Sequence, residues 1–341
     1  MTATVGTRHA VTASASISWY MRAKNPFLAR AAGLVDAVTV AGPTGPSEVR
    51  RLRNAGFDAP VLFDGEGYAG KPVPSPREWV SMQRTVEADR LMLPGVFAEW
   101  EKDESCAIRR LDDLVAEQAA IARDLDAVLL LALDSRWIAY RVNPVLEILR
   151  GSEVPLALVL ADPKDPLART GAVAGLRRLS QGLPDLMLLR SDHGSIGAVA
   201  FGATHASIGL TTSTRHFVAR PMKAFKKRNT SARLFVRTLL DWFLASDVAG
   251  WTAAGTDTIC GLACCDGVDL SRFLDEDLAS AATWHNLNAL ANFADLIHSV
   301  NEDERGLEFL RECQDATVRY GKAGFQGPEN PKAQLTGWAF S

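Results

Sequence analysis

Eight short apolar runs punctuate the first two thirds of the chain, and stretches with helical spacing separate them. The runs occupy residues 11–19, 35–41, 60–63, 90–93, 127–133, 155–160, 186–189 and 206–210. The helical stretches are 46–55, 75–88, 108–125, 142–150, 168–182 and 195–202. The stretch 108–125 repeats Leu111, Leu114, Val115, Ala119, Ala122 and Leu125 at helical spacing. The stretch 75–88 opens Ser-Pro-Arg-Glu, a helix-start signal. Short apolar strands that alternate with helices predict a parallel sheet covered on both faces. Eight is also the number that closes a (β/α)8 barrel. The expected fold is therefore α/β, a TIM-type barrel over residues 1–215. The main rival is a doubly wound open sheet. It loses weight as a dinucleotide binder because no Gly-x-Gly-x-x-Gly follows the first run.

Past about residue 215 the alternation stops. Residues 216–341 read as an appended helical subdomain with a Cys-rich turn, packed on the barrel. From Gly321 the tail is polar and rich in Gly and Pro, so a loop is expected there.

Composition excludes several classes. With 341 residues, 47% of them hydrophobic, the chain can bury a substantial core. Thirty-seven basic and forty acidic residues give a net charge of -3, which excludes a uniformly basic nucleic-acid coat protein. No apolar run reaches about 18 residues, so no membrane-spanning helix is expected. The first ten residues carry no secretory apolar core, and a cytoplasmic location is expected. Three of the five cysteines crowd together at Cys260, Cys264 and Cys265. In a reducing compartment such clustering points to metal before disulfides.

Active sites of (β/α)8 barrels form at the C-terminal ends of the strands. Asp64, Glu99, Asp134, Asp162 and Asp192 all follow predicted strands. Helix caps and turns also favour Asp, and that is the plainer reading of Asp134 and Asp162. Asp64 opens the segment DGEGY, where Gly67 and Tyr68 offer a flexible backbone and an aromatic face to a planar ligand. Asp192 lies between Arg190 and His193, whose charges can tune it. Convergent carboxylates can divide the roles of nucleophile and proton carrier, as in glycosidic chemistry. His205 reads as a packed histidine in or just before the eighth strand.

Cys260, Cys264 and Cys265 precede His285 by about 20 residues in the sequence. Three thiolates and an imidazole would make a closed, structural zinc site; buried apolar cysteines are the plainer alternative. At this point the chain resembles the tRNA-guanine transglycosylase superfamily, including its DNA-acting 7-deazaguanine members. The likeness lies in VLFDGEGYAG, SPREWVSMQRTVEADRLM, PDLMLLRSDHGSIGAVAFGATHASIGLTTSTRH, and the Cys cluster followed by His285-Asn286. It covers most of residues 55–300.

The resemblance implies a (β/α) barrel with a zinc-binding insertion. It implies base exchange, in which an aspartate displaces a base from C1′ and a 7-deazaguanine enters. Asp64 matches the family's strand-three catalytic Asp; Cys260, Cys265 and His285 match its zinc ligands. Leu262 stands where the family has its middle cysteine, so Cys264 is the substitute ligand. The family's base-recognising Asp aligns near Gly95 and its strand-eight nucleophile near Ser207. Asp192 is the nearest strand-end carboxylate able to replace that nucleophile. These departures point to a divergent, DNA-modifying type of member.

Residues 213–240 hold eight basic residues and no acidic one, including Arg215, Lys226, Lys227 and Arg228, with Phe217, Phe225 and Phe235 interleaved. Such clusters contact phosphates, and the aromatics can stack on bases. A solvated amphipathic helix is the plainer alternative. The expected function is an N-glycosidic base exchange on DNA or tRNA, with Asp64 as general acid/base and Asp192 as the nucleophile or its partner. The implied cofactor is a structural Zn2+. The expected partners are the polymer, a 7-deazaguanine base and either a second copy of the chain or a partner subunit. The alternatives are an inactive nucleic-acid-binding relative, or a glycosidase or transferase on a small nucleoside.

Overall fold

A computed structural model of the chain describes residues 15–101, 103–219, 231–323 and 331–340. Eight parallel strands form one sheet: β1 Ser16–Arg22, β2 Ala37–Ala41, β3 Val61–Asp64, β4 Val96–Ala98, β5 Leu129–Asp134, β6 Leu156–Ala161, β7 Leu186–Ser191 and β8 His205–Gly209. Their order, β3-β2-β1-β8-β7-β6-β5-β4, is the cyclic order of a (β/α)8 barrel. The regular ladder stops between β3 and β4. Isolated hydrogen bonds cross that seam instead, from Asp89 N to Val61 O (2.9 Å) and from Gly67 N to Pro94 O (2.9 Å). The buried Gln83 amide acts as a strand edge here. Its Oε1 accepts Met92 N (3.0 Å) and its Nε2 donates to Met92 O (2.7 Å).

Two sequence expectations shift. Of the first run, the described part forms β1 from Ser16 and extends past Trp19 to Arg22, and 11–14 lie outside the described residues. The fourth run, 90–93, supplies only an isolated bridge from Met92 to Val128; the ladder proper starts at Val96, opposite Leu131. One extra residue is absorbed between the two pairings, at Pro94-Gly95, where Pro breaks pairing and Gly95 adopts φ +92°.

Strand side chains alternate between two cores. Ile17, Trp19 and Met21 join the large layer beneath the helices. Leu62, Met92, Leu130, Val159, Met187 and Leu189 fill the lumen. His205 is buried in β8, as expected. Its two ring nitrogens lie 2.6 Å from Ser16 Oγ and 2.9 Å from Ser18 Oγ.

The outer helices are α1 Leu28–Ala31, α2 Gly45–Arg53, α3 Pro76–Arg84, α4 Glu104–Leu125, α5 Ser135–Tyr140, α6 Val142–Gly151, α7 Ala172–Gly182 and α8 Gly194–Ala200. At the start of α3 the predicted cap is present: Ser75 and Glu78 form a reciprocal capping box. Beyond β8 the described chain opens with an antiparallel hairpin that helical reading missed, β9 Arg233–Val236 and β10 Asp241–Leu244. Then come α9 Ala245–Ala253, α10 Ala279–His298, α11 Arg305–Ala323 and α12 Ala333–Ala339.

α10 packs between α8 and the turn that follows α1, the place of the eighth barrel helix. The Arg30 guanidinium lies 3.8 Å over the Trp284 ring at that contact. One buried cluster runs from Ile17 to Ala339, so this C-terminal part shares the outer core of the barrel. The tail expected as loop from Gly321 continues α11 to Ala323 and, after 324–330, ends in α12. Trp338 of α12 is buried against Phe201 and Phe309.

Candidate active site

β3 delivers Asp64 to the barrel mouth, fully buried. Its Oδ2 accepts the phenol hydrogens of Tyr20 and Tyr68, each at 2.6 Å, and its Oδ1 accepts Glu66 N at 2.7 Å. Burial pushes the Asp64 carboxyl up from its ordinary value, while the two phenols pull the other way. Glu66, also fully buried, pairs with Arg22, Lys71 and Arg190. The loop fits because it lacks side chains at the right places. A Cβ on Gly67 would lie 2.7 Å from Gly95 O, and one on Gly95 would lie 2.9 Å from the Tyr68 ring.

Arg190 comes from the far side. It adopts φ +53° where β7 slips register against β8, between Leu188 and Ser191. Its N donates to Ser207 Oγ (3.1 Å). Its guanidinium crosses the mouth to Glu66 Oε1 (3.0 Å), Tyr68 OH (3.0 Å) and Ser213 O (2.8 Å). The chain after β8 then folds back over this cluster. Phe217 N donates to Leu160 O (3.1 Å), and Phe217 O accepts Asp162 N (3.0 Å). Its ring fills the mouth against Tyr68 (4.9 Å) and Phe97 (5.4 Å).

Asp192 faces a different space. A cavity of about 130 Å³ is lined by Asp165, Asp192, Arg215, Asp241, Lys332 and Gln334, among others. Asp192 Oδ1 accepts Gly194 N and Gln334 Nε2, both at 2.9 Å. Burial opposes its charge, yet His193, Gln334 and Gly194 hold the carboxyl below its ordinary value. Arg215 stacks 3.4 Å over Trp242, and burial lowers it to about 9. Among the described residues no hydrogen bond or ion pair joins Asp64 to Asp192.

Asp134 caps α5 through Arg136 N (3.0 Å) and grips the Arg136 guanidinium at 2.8 and 2.7 Å. Asp162 accepts Ser135 Oγ (2.6 Å), Lys164 N (2.9 Å) and Arg169 Nη2 (2.8 Å). Burial opposes its charge, but these bonds bring it below its ordinary value. Both carboxylates thus sit in caps and ion pairs at the rim. Lys226, Lys227 and Arg228 lie outside the described residues.

Cys260, Cys265 and His285 converge, with ligand atoms within 4.8 Å of one another. His285 Nδ1 lies 3.2 Å from Cys265 Sγ and 3.7 Å from Cys260 Sγ. His285 Nε2 lies 3.1 Å from Phe235 O. Donation to that carbonyl would leave the Nδ1 lone pair on the sulfur side, the usual arrangement of a metal-binding histidine. The neighbouring Asn286 accepts Phe235 N (2.7 Å) and donates to Arg233 O (2.7 Å). The pair therefore ties α10 to β9. Cys264, half-buried, lies 3.7 Å from Cys265 Sγ but outside the mutual group.

Sequence reading missed Tyr20, Asp165, Asp241, Lys332 and Gln334. Tyr20 was findable as a polar-tipped residue on the lumen side of β1. Asp165 sits in the same DPKD turn as Asp162. The other three reach the rim from chain that lacks the strand–helix alternation.

No family model and no curated protein matches the chain. Among solved structures it is similar to a 3-hexulose-6-phosphate synthase, with 16% identity and a TM-score of 0.36, over 57% of this chain and 89% of that one. It is also similar to a type I 3-dehydroquinate dehydratase from Clostridium difficile, with 9% identity and a TM-score of 0.33, over 60% and 88%. Likeness of this size shows neither family nor function, and the strand order shows the barrel.

Proposed function

We propose that the chain is an enzyme that breaks and remakes an N-glycosidic bond of guanine or a 7-deazaguanine in DNA or tRNA, through a carboxylate nucleophile. The observation that carries the reading is the span of Arg190. It leaves β7 two residues before Asp192 and ends on the cluster that holds Asp64. A buried cation from the strand that precedes Asp192 thus reaches the Asp64 cluster across the rim, without a contact to Asp192 itself among the described residues. Strain at a positive-φ arginine is the kind of cost that active sites retain.

In this reading Asp192 attacks C1′ and the Asp64 cluster meets the base. The departing base gains electron density, and the buried Arg190 guanidinium offers positive charge to it. The buried, phenol-bonded Asp64 would hold or exchange a proton there. Phe217 must leave the mouth for a base to enter.

Cys260, Cys265 and His285 would hold a zinc ion. Ligands at about 2.3 Å for sulfur and about 2.0–2.1 Å for nitrogen imply sulfur–nitrogen edges near those observed. The ion would supply folding energy by tying the Cys turn, α10 and β9 together. Cys264 is the nearest candidate for a fourth ligand.

A second reading is a nucleic-acid-binding protein without chemistry. Phe217 filling the mouth, and Asp64 with both oxygens occupied, favour it. The two readings separate when the protein is incubated with guanine-containing DNA or tRNA and labelled free base. Label incorporated by wild type but not by Asp64→Asn, with polymer binding kept, supports exchange. Binding without incorporation supports the second reading.

A further inference from the structure

We propose that residues 216–219 form a flap whose Phe217 ring closes the barrel mouth in the free protein and swings off β6 to admit a flat aromatic ring. The inference concerns the regulation of the site described above, and it rests on the reading above for the identity of that ring, the base.

The flap exists because β7 leaves β6 early. The two strands pair only as far as Val159 opposite Leu189. At the next residue Arg190 takes φ +53°, and its side chain crosses the mouth to Glu66. β5 still lines one side of β6, as far as Ala161 opposite Asp134. On the other side Leu160 O and Asp162 N need a new partner. Phe217 supplies it as a strand of one residue. It forms an isolated parallel bridge with Ala161, in which Phe217 N donates to Leu160 O (3.1 Å) and Asp162 N donates to Phe217 O (3.0 Å).

The chain that leads to Phe217 is firmly held. Thr214 is buried, and its carbonyl packs so closely on β8 that a Cβ on Gly209 would lie 2.0 Å from Thr214 O. Ser213 O accepts Arg190 Nη2 (2.8 Å), and Arg215 stacks 3.4 Å over Trp242. Beyond Arg215 the anchoring is thinner. His216 and Val218 are half-buried and Ala219 is exposed. Phe217 is 6% exposed, so one ring carries most of the burial of the flap. The change from held to releasable chain falls at His216.

The ring stands where a ligand would. It meets Tyr68 and Phe97 edge-on, and the Arg190 guanidinium carbon lies 5.7 Å from its centroid. Tyr68 and Arg190 are also the groups bonded to Asp64 and Glu66. A base that approaches that cluster therefore has to displace the ring. Displacement breaks two backbone bonds and exposes one ring, which is a local opening and leaves the barrel ladder intact. While the flap is shut, the apparent affinity for the base is scaled down to the open fraction.

Hydrogen exchange read residue by residue tests the flap in the protein alone. After correction for intrinsic rates, the Phe217 and Asp162 amides should exchange at one shared rate, about 10-fold or more above amides in the middle of β6. Phe217→Ala should raise that shared rate and leave the middle of β6 unchanged. Rates as slow as the middle of β6, or an equal rise along all of β6, overturn the flap. Calorimetry with free 7-deazaguanine tests the competition. Phe217→Ala should bind it about 10-fold or more tighter than wild type. In the wild type, saturating base should speed exchange at Phe217 and Asp162. Equal or weaker binding by the variant, or unchanged or slower exchange of those two amides with base bound, overturns the proposal. If neither protein binds the base, the reading above falls, and exchange in the protein alone decides the flap.

Discussion

Arg190 Nη1 lies 3.0 Å from Glu66 Oε1, although one residue leaves β7 and the other follows β3 across the barrel. Glu66 is fully buried and shared with Arg22 and Lys71, so Arg190 is the enclosed member of a three-cation clamp. Replacing Arg190 by Met removes the enclosed cation from Glu66 and a donor from Tyr68 OH, and leaves Arg22 and Lys71 to hold the carboxylate. Urea unfolding should show a loss of about 1–3 kcal/mol. Arg190→Lys should recover only part of it, because an ammonium cannot span Glu66, Tyr68 and Ser213 O as the planar fork does. Full recovery with lysine would mean that charge alone matters there.

The DGEGY loop depends on close backbone approach. Gly67→Ala sets a methyl group 2.7 Å from Gly95 O, where only backbone can give way. A loss of about 1–3 kcal/mol is expected, together with weaker packing of Tyr68. Gly33→Ala, with nothing within 4 Å, is the control and should be near neutral. Thermal unfolding of the two variants side by side checks this.

His205 makes the fold acid-sensitive. Burial lowers its pKa to about 3, whereas an unfolded histidine titrates near 6.5. Between those values the unfolded chain binds the proton and the folded chain does not. Stability from this group is thus complete above about pH 6.5 and is lost progressively as pH falls toward 3. His205→Gln should flatten the pH dependence of urea midpoints in that window. An unchanged slope would assign the acid sensitivity elsewhere.

Metal content tests the cysteine cluster. Purified protein should carry zinc; Cys260→Ser, Cys265→Ser and His285→Ala should lose it and melt at lower temperature. Cys264→Ser should weaken zinc retention less than the other three, because Cys264 stands outside the converged group and would be at most the fourth ligand. Chelation should lower the melting temperature of the wild type, and added zinc should restore it. Zinc retained by Cys265→Ser would contradict the ligand assignment.

The barrel was legible because buried parallel strands are apolar on both faces, so β5, β6 and β7 read as uninterrupted runs. β4 did not, because Pro94-Gly95 splits it and the lumen there is shaped by Tyr68, 27 residues before Gly95 in the sequence. The hairpin was misread because RLFV and DWFL lie in a basic, aromatic stretch that imitates a helix face. Asp64 stood out through its glycines. Asp165 did not, because its place in the cavity comes from Asp192, Asp241 and Lys332 meeting it in space. Gln334 belongs to a seven-residue helix in a Pro-rich tail, too short for periodicity to reveal.

The most direct test of the account is a search for the covalent intermediate. Wild-type protein is incubated with guanine-containing DNA and with tRNA, quenched in denaturant, and digested for mass spectrometry. The account predicts a glycosyl ester on the peptide that contains Asp192, present with one of the polymers and absent in Asp192→Asn. An ester that persists in Asp192→Asn, or the absence of any adduct with both polymers while they bind, would contradict it.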